Sequence, residues 1–439
     1  MVVAASIAAA VAVGCGRGRR SAVGGDRDAA GGRDAAIEAG DQLAVVDRAL
    51  ARGAAFLATR QEADGAIRSP TYAAFRDGYA LTGLAAMALG LAPGDPARQA
   101  YPRAVDFLAT LVDEQGGMRA PEPAYPTYAA ALGVLVLNAP GNQRHGATRD
   151  ALREVLRRRQ LGPALGWRPD DAAYGGWGYY PREPRRPAGS ISDDLLSSNL
   201  SATLLAVGAL TLGGVAVDDP ALVLARGFVE RCQNRVAPCA AEPCPADGGF
   251  FFSPAVADAN KAGSLRWGGA ERYHSYGSMT ADGLRALLRL GVAPDDRRVV
   301  EAAAWLERNF DAARNPGQFA PGAEVRRESA YFYWAWTAAH ALRAASKPEL
   351  MTTQGPVRWA GALAAELVGR QRDDGSWKNA YTEMREDDPV VATSFAMAAL
   401  TVCRGALVGE YRSHAGWPAA TPTPTRPAPG GPEAGALVP

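Results

Sequence analysis

Several features that would point directly to a function are missing from this sequence of 439 residues. Lysine and arginine (47) outnumber aspartate and glutamate (46) by one, so the chain lacks a basic excess and no nucleic-acid partner is expected. Neither the phosphate-binding pattern G-x-x-x-x-G-K-S/T nor a magnesium-binding D-D-x-x-D run occurs. The four histidines and five cysteines show no standard spacing of zinc ligands. We therefore predict no metal and no cofactor.

Long apolar runs are also scarce. After the N-terminus no run reaches 18 residues, so no internal membrane span is expected. The N-terminus carries a shorter apolar run: residues 1–15 consist mostly of alanine, valine, isoleucine and small residues, and the run ends at Cys15. This run has the length of a signal-peptide core, and we interpret residues 1–15 as a lipoprotein-type signal peptide.

The last four residues of that run, Ala12-Val13-Gly14-Cys15, resemble the cleavage box of bacterial lipoproteins, in which a lipid is attached to the cysteine. Two features depart from the pattern: no lysine or arginine precedes the run, and Ala12 stands where leucine is usual. The resemblance implies an exported protein, held by a lipid on Cys15 at the periplasmic face of a bacterial membrane. An ordinary secretory signal is the alternative.

The two flanks of the folded part are recognised by composition. Residues 16–41 contain glycine, arginine, alanine and aspartate without an apolar period, which predicts a flexible linker. Residues 409–439 are dominated by proline, threonine, alanine and glycine, which predicts a disordered tail. The folded part is therefore expected at 42–408. Within it, Cys232, Cys239 and Cys244 crowd one loop, and in an exported protein a local disulfide is favoured over a zinc site.

The folded part repeats one pattern six times: an amphipathic helix, a short turn, and a helix that is apolar almost all round. The best copy of the turn runs from Gln371 to Trp377, with an Asp-Gly pair at its centre. A helix that is apolar on every side must be buried on every side. Six such helices inside a ring of six amphipathic ones satisfy this requirement. The sequence therefore predicts an all-α fold, an (α/α)6 toroid of six helical hairpins.

The turns themselves carry a resemblance to a known family. Arg52-Gly53-x-x-Phe56-Leu57-x-x-x-Gln61-x-x-Asp64-Gly65 and Gln371-x-x-Asp374-Gly375-x-Trp377 resemble the QW motifs of squalene–hopene cyclases and related triterpene cyclases. Protein prenyltransferase β subunits share the architecture, and the similarity covers about residues 45–405. It implies structural roles for Gln61, Gln371 and Trp377, and an apolar isoprenoid-type small molecule as the ligand of the central cavity. The prenyltransferase zinc ligands have no counterpart, since no D-x-C occurs.

The acid motif D-x-D-D-T of the cyclases is not matched. The corresponding helix starts read Asn199-Leu200-Ser201-Ala202-Thr203 and Pro389-Val390-Val391-Ala392-Thr393, with the threonine but without aspartate. The nearest carboxylates are Asp193 and Asp194 before the first of these helices, and Asp387 and Asp388 before the second. Asp193 and Asp194 are candidate acids, although paired aspartates before a helix ordinarily act as caps. His274, whose pKa could be tuned near neutrality, and Glu328 are further candidates.

Aromatic side chains are concentrated in the loops of the third and fourth units and on the fifth inner helix. Such side chains offer apolar surface and attract cations, so we expect some of them to line a pocket at one mouth of the ring. The residues predicted to do so are Trp177, Tyr179, Trp267, Tyr273 and Tyr331. The alternative is that they fill the core, which we expect for Tyr333, Trp334 and Trp336.

Three functions fit these observations. The first is a squalene-cyclase-like protein that binds or transforms an apolar isoprenoid-type ligand with a non-standard acid. The second is a non-catalytic binding or scaffold protein that keeps the toroid without the acid. The third is a carbohydrate-active (α/α)6 enzyme, whose site would pair two carboxylates across an aromatic-lined groove. The character of the central cavity distinguishes them.

Overall fold

The computed structural model describes residues 26–189, 194–235, 246–267 and 269–410, with backbone alone for 26–39. Within these ranges the chain forms thirteen α-helices and two short antiparallel hairpins. The helices are α1 (Asp26–Thr59), α2 (Tyr79–Leu89), α3 (Asp95–Ala109), α4 (Pro126–Leu137), α5 (Gly146–Arg158), α6 (Leu200–Leu212), α7 (Pro220–Arg231), α8 (Gly277–Arg289), α9 (Arg297–Asn309), α10 (Glu324–Glu328), α11 (Tyr331–Ala344), α12 (Trp359–Gly369) and α13 (Pro389–Leu407). The strands are β1 (Ser264–Trp267), β2 (Ala270–Tyr273), β3 (Leu350–Thr352) and β4 (Gly355–Val357).

Six helices form a closed inner ring. In ring order α2, α4, α6, α8, α11 and α13 each pack against the next, and α13 packs against α2 to complete the circle. These helices are buried on nearly every side, as in α6, where all side chains from Leu200 to Leu210 are buried. The (α/α)6 toroid predicted from the sequence is confirmed.

The outer helices α1, α3, α5, α7, α9 and α12 pack against the inner ring with one face only. In α5 only Leu152, Val155 and Leu156 are buried, which is the i, i+3, i+4 spacing of an amphipathic helix. Helix α1 begins at Asp26, inside the segment 16–41 that composition predicts to be a flexible linker, so part of that segment is helical. The predicted signal peptide and all but the first two residues of the predicted tail lie outside the described residues.

Glutamines at the ends of outer helices join neighbouring units. Gln371 follows α12, and its side-chain amide donates to the carbonyl of Gly375 in its own turn and to that of Ala49 in α1, both at 2.9 Å. The contact with Ala49 links the last unit to the first. The same pair of donations, to the glycine of the turn and to the next outer helix, is made by Gln61 (Gly65 and Ala100), Gln160 (Gly175 and Ala221) and Gln233 (Gly248 and Arg298).

The tryptophans of the turns form hydrogen bonds with both the outer and the inner helix of their unit. Trp377 donates its indole N–H to the carbonyl of Leu367 at 2.6 Å, and its backbone N–H to the Thr393 hydroxyl at 3.0 Å. Trp177 makes the equivalent contacts with Leu156 and Thr203, at 2.7 and 3.1 Å. The threonines that sequence comparison aligns with D-x-D-D-T therefore act as acceptors that join the turn to the inner helix.

The Asp-Gly turns need glycine for two reasons. Gly375 has φ +85°, a conformation that residues with a side chain rarely adopt, and a Cβ there would lie 2.6 Å from the Arg52 carbonyl oxygen. Gly65 has φ +90°, and its Cβ would lie 2.3 Å from the Arg103 carbonyl oxygen. Each turn thus presses directly on the backbone of the next outer helix.

Helix α13 is, among the described residues, the one helix long and apolar enough to cross a membrane. Its apolar window is 78% buried inside the protein, and its place in the inner ring accounts for this composition. Cys232 and Cys403 are buried free thiols. Cys239 and Cys244, the other members of the predicted disulfide loop, lie outside the described residues, as does Cys15.

Candidate functional site

A cavity of about 310 Å³ lies inside the inner ring, at the end where the inner helices begin. We call it the central cavity. All six inner helices line it, mostly through their first two turns. The lining includes Leu81 and Leu84 of α2, Tyr128 and Leu132 of α4, Ser201 and Leu205 of α6, Ser278 and Met279 of α8, Tyr333 and Trp336 of α11, and Val391 and Phe395 of α13. Its volume falls within the roughly 300 to 1,000 Å³ of small-molecule sites. The exposed side chains of Leu195 and Glu383 also line it, so the cavity opens to solvent beside them.

The wall of the central cavity is largely aliphatic and aromatic. Trp336 packs against Phe395 and Tyr333, with ring centroids 5.3 and 5.5 Å apart. On the other side the Tyr128 and Tyr179 hydroxyls lie 3.2 Å apart. Burial raises the pKa of both phenols, so they stay protonated. Such a wall offers apolar contact and π faces that attract positive charge.

The floor of the cavity is polar. Asp282 of α8 lies one turn below Ser278 and is completely buried. Its Oδ2 accepts a hydrogen bond from the Tyr333 hydroxyl at 2.6 Å and lies 3.4 Å from the Ser201 hydroxyl. Tyr333 and Ser201 also line the cavity, so their hydroxyls stand between the ligand space and the carboxyl group.

The other oxygen of Asp282 faces away from the cavity. It accepts a hydrogen bond from the Thr337 hydroxyl, and the Arg285 guanidinium lies 3.7 Å away. Burial raises the pKa of Asp282 above its usual range, although Arg285 and the hydroxyl donors act in the opposite direction. Burial also lowers the pKa of Arg285. The net effect is a carboxyl group that holds its proton to higher pH than an exposed aspartate.

A second buried carboxyl group borders the cavity at the start of α11. Glu386 accepts hydrogen bonds from the backbone N–H groups of Phe332 and Tyr333 at 2.9 and 2.7 Å, and from the Asn379 side chain at 3.1 Å. Burial raises the pKa of Glu386 to about 7 despite these donors. Because these N–H groups have no partner within the helix, Glu386 serves to cap α11.

Of the five aromatic residues predicted to bind a ligand, the structure brings one, Tyr179, to the central cavity. Trp177 is fully buried behind the wall, and Tyr331 is buried with its hydroxyl donating to the Ala312 carbonyl. Trp267 lies on the β1–β2 hairpin, and Tyr273 lies in a separate depression at the surface. Tyr333, Trp334 and Trp336 are buried in the core, as expected. Tyr333 and Trp336 also line the cavity, which was not expected.

The three predicted acid–base residues that the structure describes are not brought together. Asp194 is exposed beside Leu195, near the opening of the cavity, and Asp193 lies outside the described residues. Glu328 is half-buried at the end of the short helix α10. Burial lowers the pKa of His274, which lies with Tyr273 in the surface depression.

The surface depression, which we call the outer basin, is larger and more polar than the central cavity. Its volume is about 1550 Å³, and it is lined by charged residues of α7 and α9 and by the β1–β2 hairpin. Its lining includes Arg235 and Ala246, between which the chain is not described, so we assign no site to it. Among the described residues no cluster of three or more His, Cys, Asp or Glu side chains is arranged to hold a metal ion.

Sequence reasoning missed Asp282, which stands in Thr280-Ala281-Asp282-Gly283 on an inner helix. A carboxyl group inside a helix predicted to be buried on all sides must itself be buried, and buried charges are rarely without a role. This signal was available from the repeat pattern. The partners of Asp282 were not, because Ser201, Tyr333 and Thr337 lie on two other inner helices.

Comparison with known proteins supports the fold. A variant of the type II terpene cyclase MstE from Scytonema, in complex with its substrate geranylgeranyl dihydroxybenzoate, is 13% identical with a TM-score of 0.53, over 83% of this chain and 99% of that chain. A second variant, in complex with the product merosterolic acid A, is 14% identical with a TM-score of 0.52, over 83% and 98%. No protein-family model and no curated protein matches the chain. The likeness shows the toroid of type II terpene cyclases as a fold.

A glycosidase variant in complex with glucose also aligns, at 14% identity and a TM-score of 0.45, over 83% of this chain and 98% of that chain. A likeness at this level carries no argument about carbohydrate chemistry.

Proposed function

We propose that this protein binds an apolar isoprenoid-type ligand in the central cavity and transforms it by protonation. The observation that carries the proposal is the cavity itself, in which aliphatic and aromatic side chains from all six inner helices surround a space whose floor holds one buried carboxyl group. A space of this kind favours apolar ligands because their burial removes hydrocarbon surface from water. The cyclase MstE, with the same fold, binds a geranylgeranyl compound.

Asp282 is the acid in this proposal. Because burial raises its pKa, Asp282 keeps its proton to higher pH than an exposed aspartate, and this protonated form is the acid. The Tyr333 and Ser201 hydroxyls donate to Asp282 in the structure, so the hydroxyl that relays the proton must first turn. It then gives its own proton to a carbon–carbon double bond of the ligand and accepts the proton of Asp282. A C–H bond forms, and the positive charge left on the ligand faces the aromatic wall. Arg285 stabilises the carboxylate that remains, and loss of a proton from the ligand cation restores the acid.

Binding without chemistry is the second candidate. The observation that favours it is the position of Asp282, which is completely buried and separated from the ligand space by the Tyr333 hydroxyl. The carbohydrate-active alternative has less support, since the second buried carboxyl group, Glu386, is held by the backbone N–H groups of α11 as a helix cap.

The test is incubation of the full-length protein with squalene, geranylgeraniol and a panel of polysaccharides, followed by mass spectrometry. We expect conversion of a polyprene that is lost in Asp282→Asn and kept in Asp194→Asn, the exposed acid near the same opening. Bound but unconverted polyprene would support the binding candidate and reject Asp282 as the acid. Absence of polyprene binding would reject the proposed function.

We also propose, from the sequence alone, that the protein is exported and carries a lipid on Cys15. Phase partition in Triton X-114 tests this directly. The full-length protein should enter the detergent phase and Cys15→Ala the aqueous phase. Equal partition of the two proteins would contradict the anchor.

A further inference from the structure

Two cationic side chains line the central cavity without an acidic partner. They are Lys261, in the loop before β1, and Arg385, in the loop before α13. Within the described part of the chain, neither side chain makes a hydrogen bond, and neither has a carboxylate within 4.0 Å. Two such charges beside an apolar cavity are unusual, because a cation removed from water is costly unless something compensates it.

Lys261 is held in position by its neighbour. The fully buried Asn260 side chain accepts hydrogen bonds from the backbone N–H groups of Phe252 and Ser253, at 2.9 and 3.1 Å, and donates to the Ser253 carbonyl at 2.9 Å. These bonds fix the loop so that the Lys261 ammonium lies 4.4 Å from the centroid of the Phe252 ring. Burial and the nearby Arg326 lower the pKa of Lys261 to about 8, although Asp282 and Glu386 act in the opposite direction.

Arg385 adopts a backbone conformation that is unfavourable for arginine. Its φ is +59°, in the left-handed region that costs a side-chain-bearing residue on the order of 1 kcal/mol. Its guanidinium lies 5.4, 5.3 and 5.2 Å from the ring centroids of Tyr72, Phe75 and Tyr125. One of its terminal nitrogens is buried and has no hydrogen-bond partner in the described part of the chain. The cation is therefore held by π faces, with hydrogen-bonding capacity unused.

None of the carboxyl groups around the cavity forms an ion pair with these two cations, although Asp282 and Glu386 act on Lys261 from beyond 4.0 Å. Asp282 is engaged on the floor by Tyr333 and Thr337 with Arg285 nearby, and Glu386 caps α11. Glu383 is exposed at the rim of the cavity, and its carboxylate lies more than 4.0 Å from the Lys261 ammonium and from the Arg385 guanidinium. The inner helices also begin at this cavity, and helix N-termini favour negative charge.

We propose that the ligand of the central cavity is amphiphilic, with an apolar isoprenoid chain and a terminal anionic head group, a carboxylate or a phosphate, that is recognised by Lys261 and Arg385. This inference rests on the proposed function and adds to it the chemical class of the ligand's polar end. The apolar chain occupies the space between the inner helices, and the anion supplies the acceptors that both cations lack. Hydrogen bonds between ionised groups are about twice as strong as neutral ones, so the head group would fix the direction in which the chain enters.

The test compares ligands with one chain and different ends. Binding of geranylgeraniol, geranylgeranoic acid, geranylgeranyl phosphate and geranylgeranyl amine to the full-length protein is measured by titration calorimetry. We expect at least one of the two anions to bind about tenfold or more tightly than the alcohol, and the amine more weakly than the alcohol. The stronger of the two anions identifies the head group.

Variants locate the head group. Lys261→Met and Arg385→Met should each reduce the affinity for the anion towards that of the alcohol and leave alcohol binding within about twofold. Lys261→Arg should keep the preference. Lys378→Met removes an exposed lysine outside the cavity and should change nothing. Thermal unfolding identifies any variant that fails to fold, and the ligand comparison on the unmodified protein does not depend on the variants.

Two failures are distinguishable. If the alcohol and the anions bind equally well, the head-group inference is overturned and the isoprenoid cavity stands. If none of the four ligands binds, the proposed function and the inference are both overturned. An anion preference that survives in Lys261→Met and Arg385→Met together would also overturn the inference, because other groups would then recognise the head group.

Discussion

Replacement of Gln371 by alanine tests how the ring is closed. The Gln371 side chain makes two hydrogen bonds at 2.9 Å, one to Gly375 in its own turn and one to Ala49 in the first outer helix. An intramolecular hydrogen bond contributes about 0.5–1.5 kcal/mol to stability, so the loss of two predicts that the free energy of unfolding falls by about 2 kcal/mol. Gln61→Ala should cost a similar amount, because Gln61 makes the same two contacts in the first unit.

Urea unfolding followed by tryptophan fluorescence measures this change, since eight of the nine tryptophans lie among the described residues and report on the fold. Gln115→Ala is the matched control. Gln115 lies in the turn of the second unit, but its side chain is exposed and makes no hydrogen bond within the described residues, so its loss should change stability by less than about 0.5 kcal/mol. If Gln371→Ala and Gln115→Ala were equally mild, the glutamine contacts would not hold the units together.

Three further predictions concern the cavity. Because burial raises the pKa of Glu386 from 4.5 to about 7, the folded protein binds more protons than the unfolded chain between these values. The free energy of unfolding should therefore fall as pH rises from about 4.5 to about 7, by about 3 kcal/mol in total, and urea unfolding of Glu386→Gln should lack this loss. Tyr333→Phe removes the 2.6 Å hydrogen bond to Asp282 and should lower stability by about 1–3 kcal/mol and slow any polyprene turnover, whereas equal turnover would exclude Tyr333 from proton transfer. Leu84→Trp fills the cavity and should abolish polyprene binding in calorimetry, whereas Val300→Trp on the exposed face of α9 should not, and equal binding by both would contradict the cavity as the site.

The ring of helices was predictable because its cause is local in the sequence. A helix that is apolar on every side, such as 200–210, can bury its side chains only if other helices pack on every side. Six such helices separated by amphipathic ones can be packed in few ways. The turns were predictable for the same reason, since Gly65 and Gly375 follow aspartate in a pattern that requires positive φ. The same repeat places Gln160 and Gln233 at the ends of their outer helices, where they make the contacts of Gln61 and Gln371.

The residues that line the cavity were harder to predict, because side chains close together in the sequence point in different directions. Trp177 and Tyr179 are two residues apart in one loop, yet Trp177 is fixed to the Leu156 carbonyl while Tyr179 reaches the ligand space. On α11, Tyr333 and Trp336 are three residues apart and share the cavity face, while Trp334 between them donates to the Asp311 carbonyl on the far side. Composition identifies such aromatic segments, and only the packing of other helices decides which members face inward.

The central claim, that the cavity inside the inner ring is the ligand site, is tested most directly by photo-crosslinking with a geranylgeranyl compound carrying a diazirine at the end of the chain. Peptide mass spectrometry after irradiation identifies the labelled residues. We predict labels on wall residues such as Leu84, Leu132 and Phe395, with competition by unlabelled geranylgeraniol. Labels confined to the outer basin, around Tyr273 and His274, would contradict the claim.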